Sequence, residues 1–180
     1  MVYVFLADGF EEIEALTPVD YLRRCGVEVT TVGVTGKKVT GSHNIIVEAD
    51  VLPMNVDLSK AEMILLPGGI PGVPNLEASS DVQNAIDHCA ATGKYIAAIC
   101  AAPSILGKKG LLRGKKATAY PSFVQYLDGA EVQPNGVYRD GNMITASSVY
   151  YSACFSYCLA EILCGKEAAE ELKGKVLDTK

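Results

Sequence analysis

Short apolar runs alternate with longer amphipathic stretches along the whole chain. Residues 2–7 (VYVFLA), 27–34 (VEVTTVGV), 63–69 (MILLPGG) and 95–99 (YIAAI) are apolar or β-branched runs, and each reads as a strand. Residues 10–24 and 80–92 read as helices; in the second, Val82, Ala85, Ile86 and Cys89 share one face. Asp8, with Glu11 three residues on, forms a capping-box pattern ahead of the first helix. Residues 37–49 read as a hairpin with Gly41, Ser42 and Asn44 near its turn, 101–109 as a helix and 116–119 as a short strand. EVQPNGVYRDGNMITA carries an antiparallel hairpin signal, with Asn135-Gly136 and Asp140-Gly141 as turn marks. Helices over 149–164 and 166–173 finish the chain. This alternation predicts an α/β sandwich, a mostly parallel central sheet with helices on both faces, as one domain over 1–180.

Composition narrows the function without choosing it. The 180 residues are 49% hydrophobic and 21% charged, which is globular, and the net charge of −5 argues against nucleic acid or an anionic membrane as partner. MVYVFLADGF enters a strand at once, with no basic region ahead of it, and no run reaches the ~20 apolar residues of a membrane span. The expected location is the cytoplasm, where thiols stay reduced. The six cysteines show no C-x-x-C pair, and no histidine neighbours Cys154 and Cys158, so neither a metal nor a cofactor is expected.

The chemistry concentrates at KYIAAICAAPSILGKK, residues 94–109. Cys100 follows a buried strand and precedes a helix, with Ala98 and Ala102 two places away on either side and Pro103 suited to the first helical turn. Small residues around the cysteine are what a sharp strand–turn–helix elbow requires. At the carboxyl end of a strand in a doubly wound sheet, such a thiol lies where ligands bind. The helix dipole and N-terminal amides then favour thiolate and can hold an oxyanion. A cysteine that merely packs the core would also fit these residues.

Two further stretches supply partners. In FEEIEALTPVD, Glu11 and Glu12 read as solvated first-turn carboxylates, whereas Glu14 shares a face with Pro18, Tyr21 and Cys25. A carboxyl at the rim of an apolar pocket tends to a raised pKa, can stay protonated, and can serve as acid or base; an ordinary amphipathic helix accounts for it equally well. In LLPGGIPG (65–72) neither the phosphate-loop nor the dinucleotide fingerprint is present, so nucleotide binding is not expected. Gly68 and Gly69 offer exposed amides at a strand end, or a plain tight turn.

Taken together, GFEEIEALTPVD, LLPGGIPG and AAICAAPSILG resemble the ThiJ/PfpI superfamily, most closely its DJ-one branch, and the likeness runs over essentially the whole chain. The resemblance implies a flavodoxin-like sandwich and a homodimer. It implies Cys100 as the reactive thiol, Glu14 as the carboxyl bonded to it, and the Gly69 and Ala101 amides as an oxyanion pocket. It also implies glutathione-independent conversion of α-oxoaldehydes such as methylglyoxal to hydroxy acids, or the related deglycase reaction. The chain departs from the pattern in two places. Tyr120-Pro121 stands where many relatives have histidine before proline, and SSVYYSAC stands where relatives have a Gly-Pro-Gly-Thr-like turn, so Tyr120, Tyr150 and Tyr151 become candidate pocket residues. His43 matches a basic position that, in relatives, approaches the pocket from the partner subunit. A redox sensor or chaperone using Cys100 oxidation is the alternative, and a cysteine peptidase or amidase a second, though the latter needs an imidazole beside the sulfur.

Overall fold

The computed structural model describes residues 1–177. Ten strands and six helices follow one another: β1 (Val2–Leu6), α1 (Glu12–Arg24), β2 (Val29–Gly33), β3 (Lys38–Thr40), β4 (Ile46–Glu48), β5 (Met63–Leu66), α2 (Gly72–Ala78), α3 (Ser80–Thr92), β6 (Tyr95–Ile99), α4 (Pro103–Lys108), β7 (Lys116–Ala117), β8 (Glu131–Val132), β9 (Val137–Asp140), β10 (Met143–Ala146), α5 (Ser152–Cys164) and α6 (Lys166–Leu177). The main sheet has the order β2-β1-β5-β6-β10-β9, parallel except for the antiparallel edge strand β9.

The period of two along a strand builds the two layers. Val4 pairs with Leu65, Leu65 with Ala97, and Ala97 with Ile144, and this row packs against Ala15, Leu22, Phe155 and Leu159 of α1 and α5. The neighbouring row, Tyr3, Ile64, Ile96 and Met143, faces Leu76, Ile86 and Ile105 of α2, α3 and α4. Both rows are apolar because both faces are covered, which is why these strands read as continuous runs rather than alternating ones. This is the α/β sandwich expected from the sequence.

Several details differ from expectation. The Asn135-Gly136 turn does not join two paired strands: β8 runs parallel to β7, and only β9 and β10 form the hairpin, across Asp140-Gly141. Helix α2 spans residues to which the sequence pattern assigned no element. The cap of α1 is Glu11, whose Oε2 accepts the Glu14 amide at 2.7 Å, while Asp8 instead accepts the Thr40 amide at 2.8 Å and holds the β3–β4 ribbon against the end of β1.

The chain leaves β1 on one side to form β2 and returns on the other as β5. That reversal opens a crevice at the carboxyl ends of β1, β5 and β6, where an open α/β sheet binds its ligands.

Candidate active site

Cys100 closes β6. Its amide donates to the Ala146 carbonyl at 2.8 Å, continuing the pairing of β6 with β10, and its own carbonyl accepts the Tyr120 amide at 2.7 Å. Ala102 N–H reaches back to the Ile99 carbonyl at 3.1 Å, folding the chain over in one step. The turn forces Cys100 to φ 63°, a left-handed conformation that costs a residue with a Cβ roughly 1–2 kcal/mol. Of the described residues other than glycine, Asn44 alone shares a positive φ with it. The elbow read from Ala98, Ala102 and Pro103 is therefore present, with Pro103 opening α4 as expected.

Glu14 reaches the same place from α1. Its side chain is fully buried, and Oε2 accepts the Gly68 amide at 2.9 Å. Oε1 is buried without a hydrogen-bond partner among the described residues. Gly68 explains the close approach: a Cβ there would run into Glu14 Oε2 and lie 2.7 Å from the Cys100 Cβ and 3.2 Å from its Sγ. Gly69 is also irreplaceable, since it sits at φ 97° with its α-carbon packed onto the Gly9–Glu11 backbone. The Gly69 and Ala101 amides have no backbone acceptor among the described residues, and the Ala101 amide interacts with the Cys100 sulfur.

Glu14 and Cys100 titrate against each other. Burial raises the Glu14 carboxyl to about 7, the Cys100 hydrogen bond opposes the rise, and the nearby Glu11 charge adds to it. Burial, then the charge and hydrogen bond of Glu14, push the Cys100 thiol well above its ordinary value, and the Ala101 amide offsets only part of this. Burial and the facing carboxyl thus both work against the standing thiolate expected from the sequence. Helix α4 is only six residues long, so its dipole is too weak to outweigh desolvation beside a carboxylate.

The pocket over this pair has a volume of about 290 Å³. Six of the eight residues singled out from the sequence line it: Glu14, His43, Gly69, Cys100, Ala101 and Tyr120. Tyr150 and Tyr151 do not. The turn Val149–Tyr151 presents Ser148 and Val149 to the pocket, leaves Tyr150 83% exposed and stacks Tyr151 edge-on against it at 5.0 Å. Ile70, inside the LLPGGIPG stretch, and Phe123, three residues after Tyr120, complete an apolar wall that was not singled out from the sequence.

Glu12, expected to be solvated, is 4% exposed. It is buried under the β3–β4 turn, where Oε1 accepts the His43 amide at 2.8 Å and the Ile45 amide at 3.4 Å, while Oε2 meets His43 Nδ1 at 2.9 Å and accepts Ser42 Oγ at 3.2 Å. Burial pushes its pKa up, but these donors more than reverse that and hold it at about 2; His43 is raised in return. His43 thus lines the pocket within its own chain, with its Nδ1 engaged by Glu12 rather than by Cys100. Ligand atoms of Glu11, Glu12 and His43 come within 4.8 Å of one another, but a cation there would have to displace the Glu12 hydrogen bonds and the Glu11 cap. No helix among the described residues is long and apolar enough to cross a membrane.

Comparison with known proteins agrees with this architecture. Residues 1–161 match the model of the DJ-1/PfpI family. The structure of oxidized DJ-1 from Toxoplasma gondii superposes with a TM-score of 0.93 at 34% identity, covering 98% of this chain and 97% of that one. A deglycase of Thermococcus kodakarensis is 31% identical over 81% of this chain and 88% of its own length. Protein DJ-1 homolog A of Arabidopsis thaliana is 37% identical over 98% of this chain; against that relative the chain spans just under half the length, 46%. The chain belongs to the DJ-1/PfpI family, within its DJ-1 branch.

Proposed function

We propose that this protein is a cysteine-dependent enzyme that converts α-oxoaldehydes to hydroxy acids without glutathione. Family membership supports a broad deglycase- or glyoxalase-like role, and the kinship with the Thermococcus deglycase points the same way. The observation that carries the reading is the unpartnered, buried Oε1 of Glu14 beside a thiol held in a strained elbow, under a largely apolar pocket. Among the described residues lining that pocket there is no lysine or arginine, while two carboxylates are present. A small neutral carbonyl compound suits it better than an anion does.

The mechanism needs no resting thiolate. A carboxyl whose pKa is near 7 is matched to general-base work at neutral pH. As Cys100 Sγ bonds to the aldehyde carbon, the thiol proton passes to the Glu14 carboxylate. The carbonyl oxygen gathers charge facing the Gly69 and Ala101 amides, then takes the proton from Glu14 to give a hemithioacetal. The Glu14 carboxylate next removes the hydrogen on the sulfur-bearing carbon, and the proton returns to the adjacent carbon. The hydroxyl proton of the hemithioacetal moves to the neighbouring carbonyl oxygen in the same rearrangement, which leaves a thioester and a new hydroxyl group. Water cleaves the thioester to hydroxy acid and regenerates the thiol. Tyr120, 46% exposed and joined to the elbow by its backbone, stands at the mouth as a hydrogen-bond donor.

The test is methylglyoxal consumption with product analysis, run without glutathione. Wild type should release lactate, and the C100S and E14Q variants should not. Methylglyoxal consumed at the wild-type rate by C100S would remove the sulfur from the mechanism. We propose that a homodimer would use the exposed surface where α1 meets the β3–β4 turn, with Ile13 of the helix 56% and Ile45 of the turn 53% exposed; sedimentation of wild type against Ile13→Asp checks that pairing. The oxidized form of the Toxoplasma relative favours a second reading, redox sensing at Cys100. Two oxygens added to Cys100 by mild peroxide, with no aldehyde turnover, would favour it over the first.

A further inference from the structure

A second pair of thiols lies at the far ends of two helices. Cys25 is the residue after α1 and Cys164 the last of α5; these helices pack side by side on one face of the sheet. Although 139 positions apart in sequence, the two meet: the Cys164 thiol donates to the Cys25 carbonyl at 4.0 Å. Both are partly exposed and free. A thiol that touches a residue's own carbonyl is a side-chain rotation from that residue's sulfur, and each of these thiols feels the other through a side-chain hydrogen bond. The remaining cysteines offer nothing comparable. Cys89 is fully buried, and Cys154 and Cys158 are one turn apart on a single helix, where Cβ atoms stand about 5–6 Å apart, beyond disulfide geometry.

We propose that Cys25 and Cys164 form a reversible intramolecular disulfide, a redox modification site separate from Cys100 and independent of the aldehyde chemistry. The oxidant is a low-molecular-weight disulfide such as glutathione disulfide. Cys25 attacks one sulfur of it, losing its proton to solvent; a Cys25–glutathione mixed disulfide forms and one glutathione thiolate departs. Cys164 then attacks the Cys25 sulfur, the second glutathione leaves, and the two departing thiolates take up the two protons. Two protein thiols are oxidised and one glutathione disulfide is reduced to two glutathiones. Burial and the neighbouring thiol hold Cys25 above its ordinary pKa, while the Lys175 charge on α6 partly offsets this. Burial and the Glu62 charge raise Cys164, while its hydrogen bond with Cys25 offsets part of the rise. The same disulfide results whichever of the two sulfurs attacks first. The bond would tie the end of α1, which carries Glu14, to the end of α5.

The experiment is incubation of the full chain with excess glutathione disulfide at mildly alkaline pH, thiol blocking, and digestion with trypsin and a glutamate-specific protease. The second protease cuts after Glu161 and separates Cys164 from Cys154 and Cys158. The expected product is a linked peptide pair containing Cys25 and Cys164, lighter than the two thiols by two hydrogens, found in monomer on a non-reducing gel and abolished in both C25S and C164S. Reductant should restore the free thiols, and aldehyde turnover of reduced C25S should equal that of wild type. Recovery of Cys25 and Cys164 as separate glutathione adducts, as unmodified thiols, or joined only in covalent dimers would overturn the proposal.

Discussion

Glu12 and Glu14 stand two residues apart in the first turn of α1, both buried, and their acidities are shifted in opposite directions. Glu12 is held at about 2 and Glu14 is raised to about 7. Burial acts on both in the same direction. The difference is the supply of donors. The β3–β4 turn gives Glu12 the amides of His43 and Ile45, the Ser42 hydroxyl and the His43 ring. Glu14 receives one amide, that of Gly68, and the Cys100 thiol beside it, while Oε1 stays without a hydrogen-bond partner among the described residues. An ionised carboxylate buried with an unpaired oxygen is costly, and holding a proton relieves it. One side of the helix turn is therefore an anion that secures a loop, and the other is a carboxyl of raised pKa beside a thiol, the group proposed above as proton carrier.

Substitutions should separate the two roles. The largest effect belongs to the sulfur itself: C100S should lower aldehyde turnover by roughly 10³-fold or more, about 4 kcal/mol of barrier, in a steady-state assay. Next comes the proton carrier. E14Q should cost on the order of 10²-fold, and the rise of kcat/KM with pH, expected near 7 in wild type because Glu14 must be ionised to accept the thiol proton, should be lost.

Stability should report the same contrast with opposite signs. Glu14 is raised in the folded state, so its contribution is complete below the ordinary carboxylate pKa of 4.5 and is lost as pH climbs through 7, on the order of 3 kcal/mol. Denaturant melts of E14Q should lack that decline. Glu12 is lowered, so its contribution is complete above 4.5 and disappears as pH falls toward 2. E12A should cost roughly 2 kcal/mol at neutral pH by leaving the turn amides without an acceptor, while changing turnover by less than a factor of ten. The smallest effect is H43A, whose 71% exposed side chain should alter melting and turnover only slightly, checked in the same two assays.

The sequence carried the layers because both faces of β1, β5 and β6 are covered, so their apolar runs are unbroken. It also carried the elbow, since Ala98, Ala102 and Pro103 are local requirements of a local turn. What it hid was set at long range. Asn135-Gly136 marks a turn, but whether β8 then pairs with β9 or β7 depends on register across the sheet. Glu12 looked like a solvated first-turn carboxylate because the loop that buries it lies 31 residues away. Cys100 looked like a thiolate because a helix start is legible in sequence, whereas desolvation and a facing carboxylate are not. Tyr150 and Tyr151 drew notice because they stand where relatives have a Gly-Pro-Gly-Thr-like turn, yet Ser148 and Val149 line the pocket in their place. Cys25 and Cys164 carried no pairing signal, since contact between them requires the packing of α1 on α5.

The state of Glu14 can be measured directly by following its carboxyl carbon through a pH titration by NMR, in wild type and in C100S. A midpoint near 7 in wild type is the predicted result, because burial and an unpaired oxygen keep the proton on. A midpoint near the ordinary 4.5 would contradict the account, because Glu14 would then be too weak a base to take the thiol proton at neutral pH.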